Sequence, residues 1–412
     1  MTVGRARKQP PRQTQPVGQS QGAPTPNDIA RGGTDATDTA RTVSESQSEP
    51  IRRSIEVEYW VVDSDGRLTE PGPLVAAAPG VEREFVEPVL EIKTTPCETT
   101  PQLRAELFER IGKVLAVADE HDMGLVPLAT PLNHDEIADL PSERTRIQQE
   151  IIGSDFEYVR HCAGTHIHVE QIPGRAIDQL NTLVAIDPAL ALVNSARRFR
   201  GRPLADGARS KLYRWMAYDG LAHQGRLWRY IESREDWDRR LQRRYEEFER
   251  AALESGIDRQ TFTSSFDPES AVWTPVQLRS EFGTVEWRSP DTALPSSVVE
   301  LADTVARTVE HLRDTEIRIE GDTGRVTDSQ IVLPEFTHVL EYVNAAIRDG
   351  LASESLCGYL ERMGFDVEAY DPISRQGDDR GMLSVAQARE RRLSYAERLE
   401  RDVTEAQSMR AD

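Results

Sequence analysis

The chain has 412 residues carrying 70 acidic against 50 basic side chains, a formal net charge of −20, and the only lysines are Lys8, Lys93, Lys113 and Lys211. This balance excludes sequence-independent binding to a phosphate backbone, which needs clustered basic residues, and even the arginines of 239–244 lie among acids. An acidic excess with lysine nearly eliminated fits a protein kept soluble in concentrated salt, so a halophilic setting is expected.

Cys97, Cys162 and Cys357 form no CxxC pair and no even disulfide framework, which fits a reducing compartment. No run of about 18 apolar residues is present and no apolar h-region follows the basic N-terminus, so no membrane partner, no signal peptide and a cytoplasmic location are expected.

Residues 1–49 are rich in Gln, Pro, Thr, Ser, Gly and Asp with almost no large apolar side chains, and are expected to be a disordered extension. Strands are expected at 54–63, 85–95, 125–130, 164–171 and 284–289 from β-branched content and alternation. A helix opens at 100, with Thr100 as N-cap and Pro101 at the first helical position, and ends near His121. Further helices are expected at 178–193, 235–255, 296–318 and 336–349. This mixture indicates an α+β domain over 50–365, and 366–412 reads as a turn-rich segment followed by a charged helix over 383–406 that packs at its edge. Nothing repeats at a fixed period.

The chemistry sits on the strands. A period of two places Ile55, Val57, Tyr59 and Val61 on one face and Glu56, Glu58 and Trp60 on the other. A strand with solvated glutamates explains that pair alone, but the pattern recurs. His166, His168 and Glu170 share a face backed by Thr165, Ile167 and Val169, an arrangement that suits a metal or internal hydrogen bonds equally. Glu286 and Arg288 share a face backed by Val285 and Trp287, with a simple ion pair as the plainer reading. Glu91 alternates with Leu90 and Ile92. Glu84 lies an odd seven residues earlier and would take the opposite face of an unbroken strand unless a bulge or break at Pro88 intervenes.

If these strands share one sheet, its polar face crowds carboxylates that cannot all stay ionised without cations. Oxygen donors with few nitrogens and no cysteine favour Mg²⁺ or Mn²⁺ over zinc, and several such ions suggest nucleotide phosphates. No Walker-type or dinucleotide glycine motif occurs, so phosphates would be held through metals and arginines.

Four ordered motifs, Ser-Ile-Glu-Val-Glu-Tyr at 54–59, Leu-Glu-Ile-Lys-Thr-Thr-Pro at 90–96, Gly-Thr-His-Ile-His-Val at 164–169 and Val-Glu-Trp-Arg-Ser-Pro-Asp at 285–291, resemble the glutamate–cysteine ligase and carboxylate-amine ligase superfamily, in particular its haloarchaeal members. The resemblance covers about 51–320. It implies a glutamine-synthetase-like catalytic core: a curved, mainly antiparallel β-sheet with helices packed on its convex side, whose concave face binds up to three divalent ions with ATP and glutamate.

By the same resemblance Glu56, Glu58, Glu84, Glu91, His166 and Glu286 are metal ligands, and His168 and Arg288 lie toward the nucleotide. Arg288 also meets phosphate or substrate, and an arginine of the 207–214 segment assists, with the register open between Arg209 and Arg214. The implied reaction joins the glutamate γ-carboxylate to the amine of cysteine through a γ-glutamyl phosphate. A ligase for another acid or amine remains open, as does a metal-dependent hydrolase that needs no ATP. The oligomeric state is left open.

Overall fold

Strand β1 (Arg53–Asp63) pairs along both of its edges and so organises the chain around it. The computed structural model describes residues 49–134, 136–376 and 381–408, so the extension expected at 1–49 lies almost wholly outside the described residues. The remaining strands are β2 (Val81–Arg83), β3 (Val89–Lys93), β4 (Met123–Val126), β5 (Thr165–Glu170), β6 (Arg198–Phe199), β7 (Arg202–Pro203), β8 (Val276–Arg279), β9 (Thr284–Trp287), β10 (Glu316–Ile319), β11 (Arg325–Thr327) and β12 (Gln330–Leu333).

The main sheet runs β2-β3-β1-β5-β9-β8, with β4 also on β1, and every pairing in it is antiparallel. β6 and β7 form a hairpin, while β10, β12 and β11 form a second sheet in which β10 and β12 are parallel. The protein is thus a mixture of helices and mainly antiparallel sheet.

Register assigns the faces. Val57 lies opposite Ile92 and Thr165, Ile55 opposite Ile167, and Ile167 opposite Trp287. One face therefore gathers Ile55, Val57, Tyr59, Ile92, Ile167, Val169, Val285 and Trp287, all fully buried, each worth about 1.5–3 kcal/mol of burial. The helices Thr100–Glu120, Ala176–Ile186, Pro295–His311 and Val385–Ser408 pack against these strands and one another. Tyr59 donates its hydroxyl to the Ala293 carbonyl (3.4 Å) just before the third of them, which fixes that layer on the apolar side.

Local differences from the sequence expectations have physical causes. The first helix is capped by Thr99, one residue earlier than expected, in a reciprocal box with Gln102. The helix expected over 178–193 ends at Ile186, before Pro188, and continues as a 3-10 turn over Asp187–Val193. By length and hydropathy Ala176–Val193 could cross a membrane, contrary to the expectation, yet 83% of it is buried inside the protein. The helix expected over 296–318 stops at His311, and Glu316–Ile319 pairs as β10. Charged composition suggested edge packing for the last helix, but it buries Ala388, Arg392, Ala396, Leu399 and Val403. The Arg392 guanidinium donates there to the carbonyls of Gly66, Pro131 and Asn133 at 2.9, 2.8 and 2.6 Å. The three cysteines are free thiols, Cys97 and Cys162 buried and Cys357 half-buried.

Candidate active site

The face opposite the helices is set by the same register. Glu58 lies opposite Glu91, Glu56 opposite His166, and His168 opposite Glu286. Six of the residues singled out in the sequence are therefore neighbours on one surface. Glu84 joins them by a different route from a bulge within one strand. The 85–95 segment is not a single strand: β2 pairs with β3 through Glu82 and Glu91, and the chain reverses over 84–88, with the Val89 amide donating to the Val86 carbonyl at 3.3 Å. Two residues beyond Glu82, Glu84 falls on the face of Glu91 because antiparallel pairing, not parity along one strand, decides the side.

Among the described residues, three sets of side chains bring donor atoms within 4.8 Å of one another: Glu56, His168 and Glu286; Glu56, Glu91 and His166; and Glu58, Glu84 and Glu91. Glu56 and Glu91 each belong to two sets, so the sets form a connected row. His166 Nδ1 lies 3.2 Å from Glu56 Oε2 and 3.5 Å from Glu286 Oε1. His168 anchors Nδ1 on Thr284 Oγ1 at 3.1 Å. Its Nε2 is buried with no hydrogen-bond partner among the described residues, 3.8 Å from Glu56 Oε2 and 3.6 Å from Glu286 Oε1. A hard cation about 2.1 Å from each donor fits between atoms at that separation, so this orphaned nitrogen and the oxygen-rich donor set suit Mg²⁺ or Mn²⁺. The structure places His168 beside the same carboxylates as His166.

The electrostatics divide the row. Burial, then the charges of Glu84, Glu56 and Glu58, push Glu91 far above the usual carboxylate range, despite Lys93 Nζ at 2.8 Å. Burial and the Glu58 charge likewise raise Glu84. At the other end burial opposes ionisation of Glu56, but the imidazoles of His166 and His168 outweigh it and hold the carboxyl well below its ordinary value. Glu286 is held down to about 2, its burial overcome by Arg288, both imidazoles and Arg279. Cations would replace the protons that the Glu84–Glu91 end otherwise keeps.

Beside this face a cavity is lined by Phe85, Gln148, Phe156, His166, Tyr213, Trp273, Arg288 and Ser289, with Arg209 and Arg214 also in its wall. Arg288 Nε is 3.5 Å from Glu286 Oε1. Arg209 donates to the carbonyls of Ser289, Pro290 and Arg288 at 3.0, 3.3 and 3.2 Å. A Cβ on Gly164 would come 2.1 Å from Arg209 Nη2, which explains the glycine that opens the Gly-Thr-His motif. Arg214 pairs with Asp187 and donates to Ser289 Oγ at 2.8 Å. Both candidate arginines thus reach the cavity while bracing the segment that carries Arg288.

Sequence reasoning missed three participants. Arg279 lies 3.1 Å from Glu286 Oε2, on a strand whose Val276-Gln-Leu-Arg alternation before the Gly283 turn was a usable signal. Asp187, inside an apolar stretch, and Gln148, on the helix Glu143–Ile152 that was not expected, carried none.

An antiparallel sheet with a row of carboxylates and imidazoles beside an arginine-walled cavity agrees with what the motifs imply, and the comparisons point to the same class. No family model matches the sequence. A protein named glutamate–cysteine ligase from Halobacterium salinarum is 26% identical over 275 residues, 62% of this chain and 68% of that protein. A Rhodococcus jostii protein provisionally named glutamate–cysteine ligase 2-1 is 31% identical over 130 residues, and the match spans only 35% of its length and 30% of this chain. In fold, the crystal structure of a glutamate–cysteine ligase from Francisella tularensis in complex with AMP aligns at a TM-score of 0.53 and 12% identity, covering 86% of this chain and 89% of that one. The chain is similar in sequence and in fold to the glutamate–cysteine ligase and carboxylate-amine ligase superfamily.

Proposed function

We propose that the protein is an ATP- and Mg²⁺-dependent carboxylate-amine ligase, and specifically one that joins the γ-carboxylate of glutamate to the amine of cysteine. The observation that carries this is the connected row of donor sets from Glu286 to Glu84 beside Arg288. The name of the Halobacterium relative and the AMP in the Francisella structure support ligase chemistry with a nucleotide. The reading includes a glutamine-synthetase-like core with a curved sheet, a catalytic domain over 50–365 followed by a turn-rich segment and charged helix over 366–412, small-molecule substrates with no nucleic-acid or membrane partner, and a cytoplasmic setting.

In this reading Glu56, Glu58, Glu84, Glu91, His166 and Glu286 hold the metals, with His168 Nε2 available as a further donor. Bound Mg²⁺ would draw charge from the phosphate oxygens and lower the repulsion met by an attacking carboxylate. Arg288 adds a fixed cation beside that path, and Arg209 and Arg214 hold it in place. The γ-carboxylate attacks the γ-phosphorus of ATP, ADP leaves, and the amine then displaces phosphate from the γ-glutamyl phosphate. No protein nucleophile is required.

The test is phosphate release with ATP, Mg²⁺ and glutamate in concentrated KCl, scanned across amines. Release should require an amine and be strongest with cysteine. Release independent of any amine, or none with any amine, rejects the ligase; metal-dependent turnover without nucleotide would identify a hydrolase.

A further inference from the structure

Gln148 is fully buried, lines the cavity beside Arg288, and among the described residues neither its Oε1 nor its Nε2 has a hydrogen-bond partner. The next residue shows that the helix itself does not impose this. Gln149 donates to the Gly153 carbonyl at 2.7 Å and accepts from Arg160 Nη2 at 3.0 Å, so both ends of its amide are satisfied. Leaving a buried amide unpaired costs on the order of 1–3 kcal/mol per group, a cost expected where a ligand completes the pairing.

Resting on the ligase reading above, which takes the amine substrate to be cysteine, an α-amino acid with a small, largely apolar side chain, we propose that Gln148 is a specificity-determining residue for that substrate. The chemistry of the cavity matches such a ligand part by part. Arg288 supplies a cation for its carboxylate. Phe85, Phe156 and Trp273 offer apolar surface to its side chain. Gln148 supplies a neutral acceptor and a neutral donor.

Neutrality matters because the attacking amine must be unprotonated. A carboxylate in place of Gln148 would stabilise the ammonium form, whereas an amide oxygen accepts an N–H without favouring the charge, and burial itself disfavours the ammonium. Gln148 moves no proton. It orients the lone pair and discriminates against ligands that leave its amide unpaired, the most effective form of selection in a buried site.

The test measures binding to the full chain in concentrated KCl with Mg²⁺, ADP and glutamate present, using L-cysteine, L-methionine and L-phenylalanine as probes and glycine as the small control. Titration should show an apolar amino acid binding more tightly than glycine to the wild type. Gln148→Met should weaken that binding by about tenfold or more, the loss of one to two neutral hydrogen bonds. Its ligand-free melting temperature should be unchanged or higher, because an unpaired amide has gone. Should the Met variant fail to fold, Gln148→Asn keeps an amide but withdraws it by one methylene, and the same loss of affinity is expected.

Equal affinities in wild type and variant, or no probe binding to the wild type, overturn the proposal. Nucleotide-dependent phosphate release is measured separately. Its absence would reject the ligase reading while a Gln148-dependent affinity would still establish the amino-acid site, so the two failures are distinguishable.

Discussion

Arg214 and Asp187 form a bidentate pair, Nη1 to Oδ2 at 2.7 Å and Nη2 to Oδ1 at 3.2 Å, with both side chains buried. Asp187 also accepts from Trp287 Nε1 at 2.9 Å and from the Ser289 hydroxyl, so one carboxylate ties the 3-10 turn to β9 and to the residue that follows Arg288. Removing one partner strands a buried charge, a change that typically costs about 3–5 kcal/mol. Arg214→Met should therefore lower the unfolding free energy by about that much in urea titration, and adding Asp187→Asn should recover part of it. A loss below about 1 kcal/mol in the single variant would show that the pair is not the anchor described.

Glu91 is crowded by Glu84, Glu56 and Glu58 in a buried setting. Glu91→Gln removes one member of that crowd, so the metal-free protein should melt higher, by about 1 °C per kcal/mol for a chain of this size. The same substitution should abolish most of the rise in melting temperature that Mn²⁺ produces in the wild type. A variant that melts lower in chelator, or that keeps the full metal response, contradicts the assignment.

Metal itself should stabilise the wild type by about 2.7 kcal/mol at a hundred times its dissociation constant. Glu286, bordered by both imidazoles and by Arg279 and Arg288, is the carboxylate at the other end of the row. Glu286→Ala should lose the stabilisation by Mn²⁺ and reduce ADP formation by at least a hundredfold, an effect of about 2.7 kcal/mol on the barrier. Wild-type turnover in this variant would refute the site.

Asp291 lies outside the row and gives a pH signature. Burial raises its carboxyl to about 7 from an ordinary 3.8, with Arg209 opposing, and its Oδ1 has no hydrogen-bond partner among the described residues. The folded value lies above the unfolded one, so the folded state binds the proton more tightly. The stabilising contribution is complete below the unfolded pKa and disappears as pH rises through about 7. Asp291→Asn should flatten that part of the stability profile, gaining on the wild type between about pH 4 and 8. Parallel profiles would exclude a raised Asp291.

The charge of −20 predicts salt dependence. Self-repulsion is screened beyond about 3 Å in molar salt and beyond about 10 Å at 0.1 M. The melting temperature should rise from dilute buffer to multimolar KCl, and a flat response would count against a halophilic design.

What was legible in the sequence was whatever depends on alternation. Glu56, Glu58, His166, Glu286 and Glu91 declared their common face through apolar neighbours at every second position, and the register then aligned them. Asp187 gave no such sign, because its partners Arg214 and Trp287 lie 27 and 100 residues away and a lone acid in an apolar helix resembles a surface position. Gln148 was equally silent, since its importance lies in an absent hydrogen bond, which only packing reveals. Arg209 and Arg214 both line the cavity, one holding backbone carbonyls and the other Asp187, so packing singles out neither.

The hairpin that carries Glu84 to Glu91 alters what a search for distant relatives should hold constant. The count of seven residues between the two acids has no chemical meaning, because the opposition of Glu82 and Glu91 sets the side. Another chain could shorten or lengthen the turn and keep both acids together at a different count, and a pattern written with fixed spacing would pass it over. Conversely, a one-residue slip in that pairing would dismantle the third donor set with every letter of the motifs intact.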